Sequence, residues 1–260
     1  MEITPQLYVS VDAATKESLK KIDRPLFKDY WERMLLSLDY LKHKQQRTVY
    51  RLTLVKAWNV SEIADYSRLI ARGLPTFIEV KGVTFCGKSD GSNLTMDNIP
   101  FHFEVLRFCE KLCEYLAMDY EIACEHVHSC CVLIAKKELK VNGVWHTHID
   151  YDKFFELLES GHGFSYVDYM APTPSWAVTG AREQGFNPKE TKFVKERHKS
   201  KSKAQKLAKS EILQAKIDKA KQEIEKEKKH CAKILPKDNP YFMGKEKEEQ
   251  ACDDCTCQND

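Results

Sequence analysis

Residues 47–59 read RTVYRLTLVKAWN, an apolar segment followed by Lys56, Trp58 and Asn59. The apolar side chains between Val49 and Val55 have the spacing of a short buried strand. Lys56 follows at the C-terminal end of that strand, where an ammonium group is costly to bury without a partner. A strand that ends in this way predicts a polar environment at its C-terminal end.

The segments around this strand alternate between strand-like and helical patterns. The predicted elements are a strand at 6–13, helices at 14–22 and 26–44, a strand at 48–58, a helix at 61–73 and a strand at 76–87. Ser61 is the expected N-cap of the third of these helices, and Gly73 is its expected C-cap. Strands that alternate with helices of this length predict right-handed crossovers and a parallel sheet.

The chain after residue 98 carries a different pattern. A helix is predicted at 99–118, and two or three strands are predicted within 120–150. Asn142 and Gly143 lie between two strand-like segments and predict a two-residue β-hairpin turn. A short helix is predicted at 151–161, and the region 164–188 is irregular, with aromatic residues punctuated by prolines.

The charge distribution predicts a boundary near Asn187 and Pro188. From Lys189 onward the chain holds 19 Lys and Arg against 14 Asp and Glu, whereas the preceding part carries a small acidic excess. This second part is predicted to be a solvated helix followed by a disordered end. The longest apolar run, CCVLIA at 130–135, is far shorter than the ~20 residues of a membrane span, so no membrane partner is expected. The ten cysteines are expected to be reduced thiols, since most lie in apolar segments.

Asp12, Lys56 and Lys81 lie near the C-terminal ends of three successive predicted strands. Ligands of parallel α/β folds bind where those ends converge. Each lysine could simply extend its charge to solvent at the rim of the sheet. The alternative is a polar pocket lined by all three residues, in which a desolvated lysine forms a Schiff base with a keto acid.

Several cysteines and histidines also suggest a zinc site. They are Cys124, His126, His128, Cys130, Cys131, His146 and His148. Structural zinc ligands usually occur in pairs at turn spacing, and that spacing is absent here, so histidines hydrogen-bonded along one face of the sheet are favoured and no metal site is expected. The tail motif CxxCxC at 252–257 lacks a fourth ligand.

A surface for RNA is suggested by two neighbouring features. The stretch 195–209 is basic and suits contacts with phosphate groups. The segment before it supplies aromatic side chains for base stacking, namely Phe164, Tyr166, Tyr169, Trp176 and Phe186.

Four collinear blocks resemble the C-terminal part of the radical-SAM tRNA 4-demethylwyosine synthases. They are QLYVSVDA…IDRPL…YWERML (6–35), RTVYRLTLVK (47–56), FIEVKGVTFCG (77–87) and DYMAPTPSWAVTGAREQGFNP (168–188). The resemblance implies an α/β fold: the C-terminal half of an incomplete (β/α) radical-SAM barrel, with an added antiparallel hairpin and a long helical and disordered C-terminal tail. It implies three regions, a partial barrel at 1–118, a wyosine-forming and tRNA-binding region at 119–194, and a charged tail at 195–260.

The resemblance also implies a chemistry. Members of this family are cytoplasmic lyases that use a 4Fe–4S cluster to cleave S-adenosylmethionine. They condense pyruvate with N1-methylguanosine in the anticodon loop of phenylalanine tRNA, a step of wybutosine biosynthesis. Eukaryotic full-length members add a flavodoxin-like domain that binds FMN.

Carried over residue by residue, the resemblance assigns Ser10 and Asp12 to the strand that approaches S-adenosylmethionine. It makes Lys56 and Lys81 the candidates for holding pyruvate. The family's CEH-H segment matches Glu125, His126 and His128 without a known role.

One departure limits the resemblance. The cluster motif CxxxCxxC is absent from the sequence, and the family's cluster supplies the electron that cleaves the cosubstrate. The polypeptide is therefore expected to be inactive alone, to have an unpaired strand edge near 6–13, and to need a missing N-terminal half of the enzyme. The alternative function is a non-catalytic RNA-binding module derived from that enzyme.

Overall fold

The computed structural model describes residues 4–87, 93–116, 119–189 and 203–234, the last range with side chains at 211–226. The strands and helices follow in chain order: β1 (Gln6–Ser10), α1 (Lys16–Asp23), α2 (Tyr30–Leu41), β2 (Arg47–Leu54), α3 (Ile63–Gly73), β3 (Phe77–Gly82), α4 (His102–Tyr115), β4 (Tyr120–His126), β5 (Cys131–Lys136), β6 (Lys140–Val141), β7 (Val144–Trp145), β8 (His148–Ile149), α5 (Tyr151–Ser160), β9 (Met170–Ala171) and α6 (Lys203–Ile234).

The first three strands form the parallel sheet that the alternating pattern predicts. β1 pairs with β2, and β2 with β3, both in parallel. Ser10 is the register partner of Arg51, and Thr53 that of Lys81. Within the described part of the chain β1 pairs with β2 alone, so it forms one edge of the sheet.

Two further strands extend the sheet in antiparallel fashion, giving the order β1-β2-β3-β5-β4. The sheet is therefore mixed, and it takes strands from both sides of residue 118. β6 and β7 form a short hairpin. Asn142 and Gly143 connect its strands with φ values of 50° and 80°, which is the geometry that favours asparagine and glycine in two-residue turns.

Helices cover one face of the sheet. Leu52 and Leu54 on β2 are fully buried there, and burial of such a side chain contributes about 2 kcal/mol. The closest approach occurs at Gly73, where an added Cβ would collide with the hydroxyl of Tyr50. Helix α3 begins after Glu62 and ends at Gly73, and Leu74 takes the left-handed C-cap conformation. The observed caps, Glu62 and Leu74, therefore each lie one residue after the expected ones, Ser61 and Gly73.

The opposite face has two parts. A smaller apolar cluster includes Val49, Phe77 and Trp145. Towards the C-terminal ends of the parallel strands the same face carries charged side chains, among them Glu79 and Lys81, because alternate residues of a strand point to opposite sides.

The chain divides into two compact units, Met1–Phe193 and Val194–Asp260. In the second unit, α6 is the predicted charged helix, and nearly all of its described side chains are exposed or partly exposed. The Cys-containing end at 252–257 lies outside the described residues. Among the described helices, every one is too short or too polar to cross a membrane.

Candidate functional site

The predicted cofactor residues lie at the end of β1. Ser10 is exposed as the last residue of that strand. The carbonyl oxygen of Asp12 accepts hydrogen bonds from Nδ2 of Asn59 at 2.8 Å and from the hydroxyl of Tyr66 at 3.2 Å. Asn59 is fully buried, and its Oδ1 accepts the N–H of Val55 at 2.8 Å. Asn59 therefore links the C-terminal ends of β1 and β2 through hydrogen bonds.

Lys56 is bound to the segment that leads into α4. Its N–H donates to the carbonyl of Asn98 at 2.8 Å, and Nδ2 of Asn98 donates to the Lys56 carbonyl at 3.0 Å. Its Nζ lies 2.7 Å from Oε1 of Glu104, in the first turn of α4, and 5.8 Å from the ring centre of Phe101. The ammonium group therefore has a counter-ion within the fold.

Lys81 has different surroundings. It alternates with the core residue Val80 on β3, so its side chain lies on the face that helices do not cover. It lines a cavity of about 470 Å³ together with Met96, Ile99 and His128. Within the described residues its ammonium group makes no hydrogen bond and no ion pair. Neither Lys56 nor Asp12 lines this cavity, so the structure does not bring the three predicted residues into one pocket.

A hydrogen-bonded pair lies beside Lys81 on the same face. The hydroxyl of Tyr8 donates to Oε2 of Glu79 at 3.0 Å, and Nε of Arg51 lies 3.8 Å from Oε1 of Glu79. Burial, followed by the nearby Glu79 carboxylate, raises the pKa of Tyr8 to about 12. The phenol therefore stays protonated near neutral pH and acts as a donor.

A larger cavity of about 590 Å³ lies against β4 and β5 and is bounded by the segment 176–187. Backbone hydrogen bonds attach this segment to the sheet: Thr179 donates to the carbonyl of Ala123, and Val127 donates to that of Gln184. The cavity wall consists of Arg47, Cys124, Glu125, His126, Cys131, Leu133, Thr147, His148, Trp176, Ala177, Gly185, Phe186 and Asn187.

Glu125 is the residue whose role the sequence left open. Its Oε2 lies 2.8 Å from Nε2 of His102 on α4, and its Oε1 accepts the N–H of Gly180 at 2.7 Å. The side chain of Glu125 is only 9% exposed. Gly185 packs against the same strand, and a Cβ there would collide with the Glu125 carbonyl oxygen. Glu125 therefore holds the cavity-bounding segment in place, a role that only contacts distant in sequence reveal.

The histidines that were weighed as zinc ligands make hydrogen bonds and ring contacts. Nδ1 of His126 lies 2.8 Å from Oγ of Ser129, and the ring of His126 lies 4.8 Å from that of Phe186. His146 bonds the carbonyl of Val144 at 3.0 Å through Nδ1. Across the described residues, no three His, Cys, Asp or Glu side chains are grouped so as to hold a metal ion.

The aromatic residues expected to face RNA divide into two groups. Tyr169 is 1% exposed and packs edge to face against Phe154 and Phe164. This tyrosine belongs to the interior and not to a binding surface. Trp176 and Phe186, in contrast, line the 590 Å³ cavity. In the basic stretch 195–209, side-chain positions lie outside the described residues.

Comparisons with known proteins converge on one family. The family model for wyosine base formation matches residues 72–136. The S-adenosyl-L-methionine-dependent tRNA 4-demethylwyosine synthase TYW1 of Danio rerio is 63% identical over 194 residues, which are 72% of this chain and 26% of the relative. The corresponding synthase of Oryza sativa subsp. japonica is 61% identical over 193 residues, or 74% and 30%. That of Schizosaccharomyces pombe is 53% identical over 210 residues, or 78% and 30%.

A solved structure of TYW1 with a lysine-pyruvate adduct bound matches with a TM-score of 0.46 and 30% identity, covering 53% of this chain and 43% of that one. The chain spans less than a third of the length of the three curated synthases named above.

Proposed function

The chain belongs to the tRNA 4-demethylwyosine synthase family as a C-terminal part of the enzyme, and we propose that it supplies the substrate-binding portion of that enzyme in wybutosine biosynthesis. The reaction proposed is the condensation of pyruvate with N1-methylguanosine in the anticodon loop of phenylalanine tRNA by radical-SAM chemistry. The proposal extends to a (β/α) barrel fold of which β1–β3 and their helices form one part. The observation that carries it is the 53–63% identity to three synthases over about 200 residues.

Lys81 is the side chain best suited to hold pyruvate. It lies on the face opposite the covering helices and lines a cavity, and its amine has no counter-ion among the described residues. A neutral lysine amine adds to the keto carbon of pyruvate, and loss of water then gives an imine. Lys56 is the weaker candidate because Glu104 occupies its ammonium group.

The cofactors of the relatives fit this chain to different degrees. Ser10 is exposed at the end of β1, so its hydroxyl can bind S-adenosylmethionine. The hydrogen bonds of Asp12 within the described residues use its backbone carbonyl, so its carboxylate can take part as well. The donor set for a 4Fe–4S cluster does not fit, because the sequence has no CxxxCxxC and the described residues hold no metal-binding group. We therefore assign both the cluster and FMN to other parts of the longer relatives.

A chimera tests the proposal. The matching segment of the Schizosaccharomyces pombe synthase is replaced by residues 5–195 of this chain, and tRNA from cells that lack the native enzyme is analysed by mass spectrometry for 4-demethylwyosine. We expect the chimera to restore the base and Lys81→Ala to abolish it. Lys42→Ala, at an exposed position outside the cavities described here, is the matched control. A chimera that accumulates in folded form but makes no modified base would overturn the proposal.

The second candidate function is RNA binding without catalysis, and the missing cluster motif favours it for this chain in isolation. We expect the isolated chain to bind phenylalanine tRNA and to leave it unmodified. The two functions are separated by the chimera, since a non-catalytic descendant would bind tRNA there as well but would not restore the base.

A further inference from the structure

Arg47 carries a buried positive charge that no carboxylate among the described residues pairs with. The residue is 8% exposed, and its guanidinium lies 4.2 Å from the ring centre of Phe77. Within the described residues it forms no ion pair, and after burial the largest electrostatic effects on its pKa come from Tyr8, Tyr169, Tyr151 and Cys124. All of these are neutral when protonated. Burial lowers the pKa of Arg47, but arginine still remains charged in proteins.

The hydrogen-bonding capacity of this guanidinium is only partly used. Nη1 donates to the carbonyl of Thr147, and Nε is buried without a partner. On the neighbouring strand Oε1 of Gln6, the register partner of Arg47, is also buried without a partner. A bridging water could satisfy both atoms, but an amide oxygen adds no negative charge. Isolated buried charges are strongly unfavourable. An anion bound beside Arg47 would therefore stabilise its guanidinium.

Arg47 lines the 590 Å³ cavity, whose size lies within the range of small-molecule sites. Trp176, Phe186 and His148 also line it, and the rings of His148 and Trp176 are 6.1 Å apart. Burial, and then the charge of Arg47, lowers the pKa of His148. The cavity therefore combines the Arg47 cation, the imidazole rings of His126 and His148, and two aromatic surfaces. The one carboxylate in its wall, Glu125, is bonded to His102 and to the N–H of Gly180.

We propose that this cavity binds the oxyanion of a ligand, a carboxylate or a phosphate, on the guanidinium of Arg47, with the remainder of the ligand against Trp176 and Phe186. Two sources have this chemistry, a small free acid and the phosphate of a nucleotide whose base stacks on the aromatic wall. The site is separate from the cavity of Lys81. It does not depend on the proposed function, because it concerns binding and not turnover.

The experiment titrates the full chain with inorganic phosphate, pyruvate and guanosine 5′-monophosphate by isothermal calorimetry. We expect at least one probe to bind and Arg47→Met to weaken that binding at least tenfold. Arg51→Met is the matched control, because Arg51 lies on the same strand and face but outside the cavity wall. Its affinity should stay within twofold of the parent. Tighter binding of guanosine monophosphate than of phosphate, lost in Trp176→Ala, identifies a nucleotide; preference for pyruvate identifies a small acid.

A second measurement tests the proposal without relying on the Arg47→Met variant, which could fail to fold. The titration of His148 is followed by NMR in the unmutated chain and assigned with His148→Gln. An anion beside the ring favours the imidazolium, so the probe should raise the pKa of His148. The proposal is overturned if all three probes leave both the calorimetric signal and this titration unchanged, or if a folded Arg47→Met binds as tightly as the parent. Failure here would leave the chimera's turnover unaffected, so the two proposals fail separately.

Discussion

Nζ of Lys56 lies 2.7 Å from Oε1 of Glu104, so the lysine that follows an apolar strand is paired with the first turn of α4. Oε2 of the same carboxylate accepts the N–H of Phe101 at 2.7 Å. Glu104 therefore serves both as a helix cap and as a counter-ion. The counter-ion of this partly exposed ammonium group lies 48 positions along the chain. Lys56 therefore links the end of β2 to α4.

The pairing predicts a measurable coupling between the two residues. In a double-mutant cycle of Lys56→Met and Glu104→Gln, we expect a coupling free energy of unfolding of about 0.5–1 kcal/mol, reduced by salt because the lysine is partly exposed. Chemical denaturation measures it. The exposed pair Lys16–Glu32, also 2.7 Å apart, is the control and should couple less. Equal coupling in both pairs would show that the Lys56–Glu104 ion pair stabilises the fold no more than an exposed ion pair does.

The two lysines should differ in reactivity towards keto acids. When the full chain is incubated with pyruvate and cyanoborohydride, we expect the reduced adduct at Lys81, because its amine faces a cavity without a counter-ion among the described residues. Peptide mass spectrometry locates and quantifies the adduct. Lys56 should be modified far less, since Glu104 engages it. An adduct spread evenly over exposed lysines such as Lys42 would argue against a special role for Lys81.

The local pattern of the sequence was enough to predict the parallel part of the sheet. Apolar alternation located β2 and β3, and the helix between them required parallel pairing. The Asn142–Gly143 pair predicted the hairpin turn, because few residues other than asparagine and glycine adopt the positive φ values that this turn requires. These features depend on neighbours in the chain, which a sequence displays directly.

The site was less predictable, because strand ends specify an edge of the sheet but not the direction of each side chain. Lys81 lies within β3, where alternation fixes its face, whereas Lys56 lies beyond β2 and turns towards α4. The roles of Arg47 and Glu125 depend on contacts with residues 23–100 positions away. An arginine at the start of a strand gives no local sign that it will be buried.

Gly185 should be essential for the segment that bounds the larger cavity. Its φ is +88°, and an added Cβ would collide with the carbonyl of Glu125. We expect Gly185→Ala to destabilise the fold by about 1–3 kcal/mol and to loosen this segment, as measured by thermal unfolding and limited proteolysis. Gly180→Ala is the control, with a similar φ of +83° but open space around the added Cβ. If both variants lose the same stability, backbone strain alone is responsible and the close approach has no effect.

The buried thiol of Cys113 predicts a loss of stability in alkali. Burial, and then the charge of Glu121, raises the pKa of Cys113 to about 12, against 9.0 for an ordinary thiol. Because the folded-state pKa is the higher one, the stabilising effect is complete below pH 9 and is lost as the pH rises from 9 to about 12. This group contributes a slope of up to about 1.4 kcal/mol per pH unit to the free energy of unfolding. Denaturation across that range should give a shallower decline for Cys113→Ala than for the parent, whereas Cys86→Ala, at an exposed thiol, should follow the parent. Parallel curves for Cys113→Ala and the parent would mean that this thiol does not titrate differently in the folded chain.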